Sequence, residues 1–368
     1  MATLSLQNLT LSHFRSHRHV ALDLDERPIA IFGSNGAGKT NLIEAVSLLS
    51  PGRGMRRASP DELTRRPESI GWKIKALLSA PTDTHELEAS AELGQSRTTR
   101  IDDKSTPQIA LGKVARILWL VPSMDRLWIE GAEGRRRFLD RATLSLNPSH
   151  AEAVLRYDKA MRERNRLLKD MVRDAHWYIA IEQQMADAAA TITAARLAAV
   201  AALTDGQDST GAFPTSDLTL ANAGLQDAAT DVEGWRSIFA EGRPQDLSAG
   251  RTLSGPHDAD LEATFTAKGV AAKDCSTGEQ KALLISLILA NARKVGEDFG
   301  APPIILLDEV AAHLDADRRA ALYDEICGLG AQAWMTGTED SLFDTLGSRG
   351  QYIEVTDTNG ESQIIRKD

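Results

Sequence analysis

The sequence predicts an α/β fold with mixed β-sheets and a second lobe that is mostly helical. Three observations lead to this prediction. A glycine-rich loop follows an apolar strand near the start of the chain, a second apolar strand ends in two carboxylates near its end, and a long charged helical region lies between them. Fully apolar strands are typical of parallel sheets that are covered on both faces. In the region between these two strands, apolar residues recur at helical spacing, which predicts helices.

The glycine-rich loop has the two glycines, lysine and hydroxyl residue of a phosphate-binding loop. An apolar strand at residues 28–32 precedes it and a helix at 41–49 follows, which is the order that this motif requires. Backbone N–H groups of such a loop surround the phosphates, the lysine adds charge near the β and γ oxygens, and the hydroxyl holds Mg²⁺. The predicted ATP and Mg²⁺ site residues are Gly33, Ser34, Asn35, Gly36, Ala37, Gly38, Lys39, Thr40 (which binds the metal) and Asn41.

Alternating apolar residues predict strands over residues 2–33 and 72–101, and an apolar run predicts another at 114–121. Residues 147–205 read as a hairpin of two helices that forms a short arm. Beyond it the chain is loop-rich, with a helix at 232–241 and a strand at 261–265. We therefore expect an ATP-binding lobe of residues 1–122 and 301–368, and a helical lobe of residues 123–300 that carries the arm and the segment 276–281.

The basic loop that follows the first helix is rich in arginine and glycine and is predicted to be exposed. It either contacts phosphates or is a solvated charged loop. A net charge of −10 excludes a protein whose whole surface binds nucleic acid, so any such contact must be local. Helix cations Arg162, Arg166 and Lys169 are secondary candidates. The predicted DNA-binding residues are Arg53, Arg56, Arg57, Arg65 and Arg66.

Composition predicts a cytoplasmic protein without a membrane partner. The start of the chain lacks the basic and apolar regions of a signal peptide, and the longest apolar run, residues 282–290, is far shorter than the roughly 20 residues of a membrane span. The two cysteines, Cys275 and Cys327, are not in a paired motif, which argues against a zinc ribbon and fits a reducing compartment.

The strand at residues 302–309 ends in Asp308 and Glu309, at the edge where an α/β sheet binds its ligands. Asp308 is predicted to hold Mg²⁺ and its water, and Glu309 to accept the proton of a water that attacks the γ-phosphate. The alternative is a strand that happens to end in an acidic turn.

The segment 276–281, which carries the hydroxyls of Ser276 and Thr277, precedes the apolar helix at residues 282–290, and the N-terminus of a helix is a natural anion site. Together with the phosphate loop and the Asp-Glu strand, this segment resembles the signature motif of the ABC-type ATPase superfamily, in which one subunit closes over the nucleotide of another. Asp315 matches the family's loop after the catalytic glutamate. The resemblance therefore assigns nucleotide contacts to Ser276, Thr277, Gly278, Gln280 and Asp315.

Within that superfamily the chain resembles the RecF family of bacterial recombination mediators. The matching segments are residues 33–44, 135–140, 157–169, 254–257, 276–281 and 306–315. The resemblance implies an ATP-dependent homodimer and weak DNA-dependent ATPase that clamps DNA at gaps and single-to-double-strand junctions. It also implies work with RecO and RecR in loading RecA, and so in DNA repair, replication and SOS induction.

Three other classes compete with this interpretation. The first is the nucleotide-binding subunit of an ABC transporter, whose helical insert is shorter than the 237 positions between Lys39 and Ser276. An SMC head needs hundreds of coiled-coil residues, and a metabolic kinase has no use for the segment at Ser276. Thr336 and Thr338 stand where transporters have a histidine, and are candidates for a sensor role. His257 is a candidate for chemistry, although a turn histidine is more often a surface residue.

Overall fold

The computed structural model describes residues 3–66, 68–209, 211–222, 231–311 and 314–367, and the chain divides into two compact units. The first unit comprises Met1–Asp125, Gly206–Thr215 and Ser276–Asp368; the second comprises Arg126–Asp205 and Ser216–Cys275.

The strands and helices of the described residues are numbered in chain order. The strands are β1 (Ser5–Phe14), β2 (His17–Asp23), β3 (Ile29–Phe32), β4 (Trp72–Ser79), β5 (Thr84–Ala91), β6 (Thr98–Ile101), β7 (Lys104–Ser105), β8 (Ile117–Leu120), β9 (Ser216–Asn222), β10 (Ala259–Phe265), β11 (Val270–Ala271), β12 (Ile304–Leu307), β13 (Ala333–Gly337), β14 (Gln351–Thr358) and β15 (Glu361–Lys367). The helices are α1 (Lys39–Ser47), α2 (Pro60–Leu63), α3 (Leu111–Val114), α4 (Ala132–Leu146), α5 (His150–Lys169), α6 (His176–Asp205), α7 (Val232–Ala249), α8 (Thr277–Phe299) and α9 (Ala316–Leu329).

The first unit contains an antiparallel sheet with the strand order β2-β1-β4-β5-β6-β7. Its strands alternate as the sequence predicts. Along β4, Trp72, Ile74 and Ala76 are buried, whereas Lys73 and Lys75 are exposed. One face of this sheet therefore packs on a core and the other meets solvent.

The second sheet of this unit has the order β15-β14-β3-β13-β12-β8, and only β15 in it is antiparallel to its neighbour. Strands β3 and β12 are buried along their whole length. A common apolar core contains side chains of both sheets and of α1, among them Leu9, Ile74, Ile31 and Leu306. Because the parallel strands end at one edge, the turns after β3 and β12 meet at that edge.

Helix α8 belongs to the first unit, whereas we expected residues 276–300 in the helical lobe. Its apolar residues Ile285, Ile288 and Leu289 lie with residues of β12 and α9 around a small cavity. Burial of these residues against the parallel sheet assigns α8 to the first unit. Neither the position of the helix in the sequence nor its helical pattern reveals this assignment.

The second unit contains α4 to α7 and a small antiparallel sheet with the order β11-β10-β9. Helices α5 and α6 form the predicted hairpin, and α7 is longer than the predicted 232–241. Apolar residues of α5, α6 and α7 form the core of this unit, including Tyr157, Met185, Ile192, Trp235 and Phe239.

Arg164 of α5 is fully buried and forms hydrogen bonds to several segments of this unit. Its guanidinium donates to Glu182 Oε1 at 3.0 Å, to Asp246 Oδ2 at 2.6 Å and to Thr252 Oγ1 at 2.9 Å, as well as to the carbonyl oxygen of Phe239. A buried cation is tolerated only when it is paired and hydrogen-bonded in this way.

Helix α6 is the one helix of the described residues that is long and apolar enough, by length and composition, to cross a membrane. We considered only uninterrupted apolar runs in the sequence, of which residues 282–290 are the longest, and so did not identify α6 as a helix of this length and composition. Half of its most apolar window is buried within the protein, and the core helix of a soluble protein passes the same test.

Candidate nucleotide site

The phosphate loop joins β3 to α1 at the carboxyl edge of the parallel sheet. Gly33 has φ +144°, and a Cβ there would lie 2.0 Å from the carbonyl oxygen of Val355. Gly38 has φ +107°, and a Cβ there would lie 2.2 Å from Ser362 Oγ. Both positions therefore require glycine, for their backbone conformation and for their close neighbours.

Lys39 is nearly buried, with 4% of its surface exposed. Its ammonium donates to the carbonyl oxygens of Gly33 at 2.6 Å and of Ser34 at 2.8 Å. Burial lowers the pKa of Lys39, while the charges of Glu309 and Asp308 act in the opposite direction. The Lys39 ammonium, which we predicted to contact the phosphates, therefore lies at the phosphate loop, near the carboxylates of Asp308 and Glu309.

The end of β12 brings Asp308 to the start of α1. Thr40 Oγ1 donates to Asp308 Oδ1 at 3.0 Å, and Thr336 Oγ1 of β13 donates to the same oxygen at 2.8 Å. Burial raises the pKa of Asp308, and the hydrogen bonds from Thr336 and Thr40 oppose that shift. The predicted metal residues Thr40 and Asp308, which lie 268 positions apart, are thus in direct contact.

A hydroxyl and a carboxylate are the hard oxygen ligands that Mg²⁺ prefers. No group of three or more His, Cys, Asp or Glu side chains in the described ranges is arranged to hold a metal. The residues at the site suit a metal whose other ligands are water and phosphate, as is usual for Mg²⁺.

Glu309 follows Asp308 in a left-handed conformation, with φ +54°. Its backbone N–H donates to Thr336 Oγ1 at 2.9 Å. Left-handed backbone is uncommon for a residue other than glycine and clusters at functional sites.

Ser276 caps the N-terminus of α8. Its Oγ accepts from the N–H of Glu279, whose carboxylate accepts in turn from the N–H of Ser276 at 3.0 Å. Ser276, Thr277 and Gly278 are exposed, as a surface for a ligand requires. Gln280 is 1% exposed, so the structure separates it from these three and removes it from the predicted contact surface.

Asp315 caps α9, where its Oδ1 accepts from the N–H of Arg318 at 2.8 Å. The residue is exposed. Ala312 and His313, in the same matched segment, lie outside the described residues.

The five arginines of the basic loop separate into three groups. Arg53, Arg57 and Arg66 are exposed. Arg56 lies beside α1, with Nη1 3.3 Å from Asn41 Oδ1 and 3.6 Å from Glu44 Oε2. Arg65 contradicts our prediction of a DNA contact: it is 6% exposed, and both of its terminal guanidinium nitrogens are already paired with carboxylates.

The carboxylates that pair with Arg65 belong to Glu68, at 2.9 Å, and Glu361 on β15, at 3.5 Å. The composition of the loop, which is rich in arginine, suggested solvent exposure. It does not reveal that Glu361, near the other end of the chain, pairs with Arg65.

A layer of polar residues beneath the phosphate loop was not predicted. Ser362 Oγ donates to the carbonyl oxygen of Ala37 at 2.6 Å, and the ring of His17 is 3.1 Å from the carbonyl oxygen of Gly38. Burial lowers the pKa of His17 to about 4, so its ring is neutral near pH 7. These residues come from β15 and β2, and no local pattern links them to the loop.

Known proteins match part of the sequence and the whole fold. Residues 8–98 match the family model described as an AAA domain. A solved structure of the recombination mediator protein RecF with ATP, from the RecFOR pathway, is 21% identical, covers all of both chains and has a TM-score of 0.85. The Smc head domain of Pyrococcus furiosus is 15% identical, covers 100% of this chain and 97% of that one, and has a TM-score of 0.57. The fold is thus that of an ABC-type ATPase head.

Relatives compared by sequence match at higher identity. The DNA replication and repair protein RecF of Rhizobium meliloti (strain 1021) is 45% identical over 95% of this chain and 96% of its own length. RecF of Brucella suis biovar 1 (strain 1330) is 45% identical over 96% of this chain and 94% of its own length. The chain belongs to the RecF family of DNA replication and repair proteins.

Proposed function

We propose that this protein is an ATP-dependent, DNA-binding recombination mediator that acts in DNA repair and replication. Family membership supports this role over that of a transporter subunit. The observation that carries the ATP-dependent part is the meeting of Thr40, Asp308 and Glu309 beside Lys39 at one edge of the sheet. The related RecF structure contains ATP, which supports ATP as the nucleotide.

Each residue of the site has a separate task in this proposal. The backbone of residues 33–38 and the ammonium of Lys39 bind the phosphates. Thr40 and Asp308 hold Mg²⁺, which when bound neutralises charge on the β and γ oxygens. Glu309 accepts a proton from the attacking water. Asn41, whose side chain donates to Ser16 Oγ at 2.7 Å, supports the start of α1.

Dimerisation completes the site in this proposal. Ser276, Thr277 and Gly278 are exposed at the start of a 23-residue helix, whose N–H groups and dipole favour an anion. Asp315 is likewise exposed at the start of α9. We propose that these residues contact ATP held by a second copy of the chain. ATP then favours an ATP-bound homodimer, and hydrolysis, weak and stimulated by DNA, releases it.

Contacts to DNA are proposed for the exposed loop arginines Arg53, Arg57 and Arg66, with Arg56 beside the nucleotide site. Phosphate contacts position a protein without reading sequence, which suits recognition of a DNA structure such as a gap or a single-to-double-strand junction. RecO and RecR are the proposed partners, in agreement with the pathway named for the related structure. Through them the protein promotes RecA loading and SOS induction, in the cytoplasm and without a membrane partner.

The test is nucleotide-dependent DNA binding. A gel shift compares a gapped duplex with a blunt duplex of equal length, with and without ATP, for the wild type and for Lys39→Ala. We expect ATP to strengthen binding to the gapped duplex for the wild type only, and purified RecR to strengthen it further. Equal binding of both duplexes with and without ATP would refute the proposal.

A further inference from the structure

Thr336 lies at the centre of the candidate site, on a strand between the two strands that supply its other residues. Strand β13 is the parallel neighbour of both β3 and β12, with Met335 paired to Leu307 and to Ala30. Its next residue, Thr336, therefore stands beside the turn that contains Asp308 and Glu309. The side chain is 1% exposed.

The hydroxyl of Thr336 has no proton left for a ligand. A threonine hydroxyl carries one proton and two lone pairs. Its proton is donated to Asp308 Oδ1 at 2.8 Å, and one lone pair accepts the N–H of Glu309 at 2.9 Å. A sensor role, for which the sequence makes Thr336 a candidate, requires donation to a phosphate oxygen, and this arrangement leaves no proton of Thr336 available for it.

We propose that Thr336 is a positioning residue for ATP hydrolysis, one that fixes the Asp308 carboxylate and the Glu309 backbone relative to each other. The inference rests on the proposed ATPase function.

Two physical consequences follow from this bridge. The hydrogen bond to Oδ1, which Thr40 also contacts, orients the carboxylate of Asp308. The hydrogen bond from the N–H of Glu309 holds that residue in its left-handed conformation, which is strained for a residue other than glycine, and so directs the side chain of the proton acceptor. Outer partners that orient a metal ligand typically contribute 10- to 100-fold in metal affinity or activity.

The experiment compares variants that differ in the hydroxyl alone. Thr336→Ser and Thr336→Ala both lack the methyl group, so their difference isolates the hydrogen bonds. Thr336→Val keeps the shape and removes only the hydroxyl. Thr143→Val is the matched control, because Thr143 is equally buried and its hydroxyl donates only to Leu139 O within α4.

Three assays are run on each variant: steady-state hydrolysis, which gives kcat and KM for ATP; binding of a fluorescent ATP analogue with and without Mg²⁺; and thermal melting. For Thr336→Ala and Thr336→Val we expect kcat about 10- to 100-fold below the wild type. The gain in nucleotide affinity on adding Mg²⁺ should shrink, while affinity without Mg²⁺ is unchanged. Thr336→Ser should restore kcat to within a few-fold, and Thr143→Val should match the wild type.

Equal kcat for the serine and alanine variants would overturn the inference, and so would a fall in nucleotide affinity that is the same with and without Mg²⁺. If the valine variant does not fold, the serine and alanine pair decides. If the wild type neither binds nor hydrolyses ATP, the proposed function itself is wrong, and that outcome is distinct from the others.

Discussion

Removing two exposed charges from the basic loop should change the salt dependence of DNA binding by a calculable amount. The variant is Arg57→Gln with Arg66→Gln, which keeps most of the side-chain length and removes both charges. Arg56 is left intact because it contacts Asn41 and lies near Glu44 of the phosphate-loop helix, so its loss would also disturb the nucleotide site.

The structure sets the expected magnitude. Arg65 is buried, which leaves four exposed loop arginines that can reach phosphate. Each phosphate contact contributes about −0.9 to the slope of log K against log salt, so the wild type should show about −3.6 and the variant about −1.8. Between 50 and 200 mM salt these slopes correspond to losses in affinity of about 150-fold and about 12-fold, respectively.

The assay is ATP-dependent binding to a gapped duplex at four or more salt concentrations, with ATP hydrolysis as the check on folding. The matched control is Arg126→Gln with Arg236→Gln, which removes the same charge from exposed side chains paired with Glu130 and Glu233 in the second unit. The control slope should equal that of the wild type. A loop variant with an unchanged slope would remove the loop from the DNA surface and direct attention to Arg162, Arg166 and Lys169.

Three further predictions concern hydrolysis, dimerisation and stability. Glu309→Gln should bind ATP normally and lose nearly all turnover, because only the proton acceptor is removed, whereas Lys39→Ala should weaken nucleotide binding itself; normal turnover by Glu309→Gln would contradict the assignment. Ser276→Arg should bind ATP yet sediment as a monomer with it, and a variant that still dimerises would exclude a shared site. Arg164→Met should lose about 3–5 kcal/mol of unfolding free energy in urea, because the buried carboxylate of Asp246 loses its cation, while Glu182 keeps Arg243 alone. The exposed Arg162→Met on the same helix should stay within about 0.5 kcal/mol of the wild type, and equal losses for the two variants would refute this account of the buried network.

The sequence by itself determined those parts of the site that are contiguous in the chain. Residues 33–40 adopt a phosphate loop because their glycines, lysine and threonine suffice locally once a strand precedes them. Likewise, four aliphatic residues followed by Asp308 and Glu309 predict a buried strand with its carboxylates at the tip. The helical hairpin of α5 and α6 follows from apolar spacing alone.

Tertiary structure alone decided which distant residues complete that site. Thr336 becomes the bridge between Asp308 and Glu309 because β13 lies between β3 and β12, and strand order is not written in any single strand. Arg65 is buried and paired with Glu361, a residue almost three hundred positions away, as well as with its neighbour Glu68, and α8 belongs to the first unit, where its apolar face is buried. Hydrogen bonds and ion pairs depend on distance in space, whereas sequence patterns report only the nearest few residues, so these assignments required the folded chain.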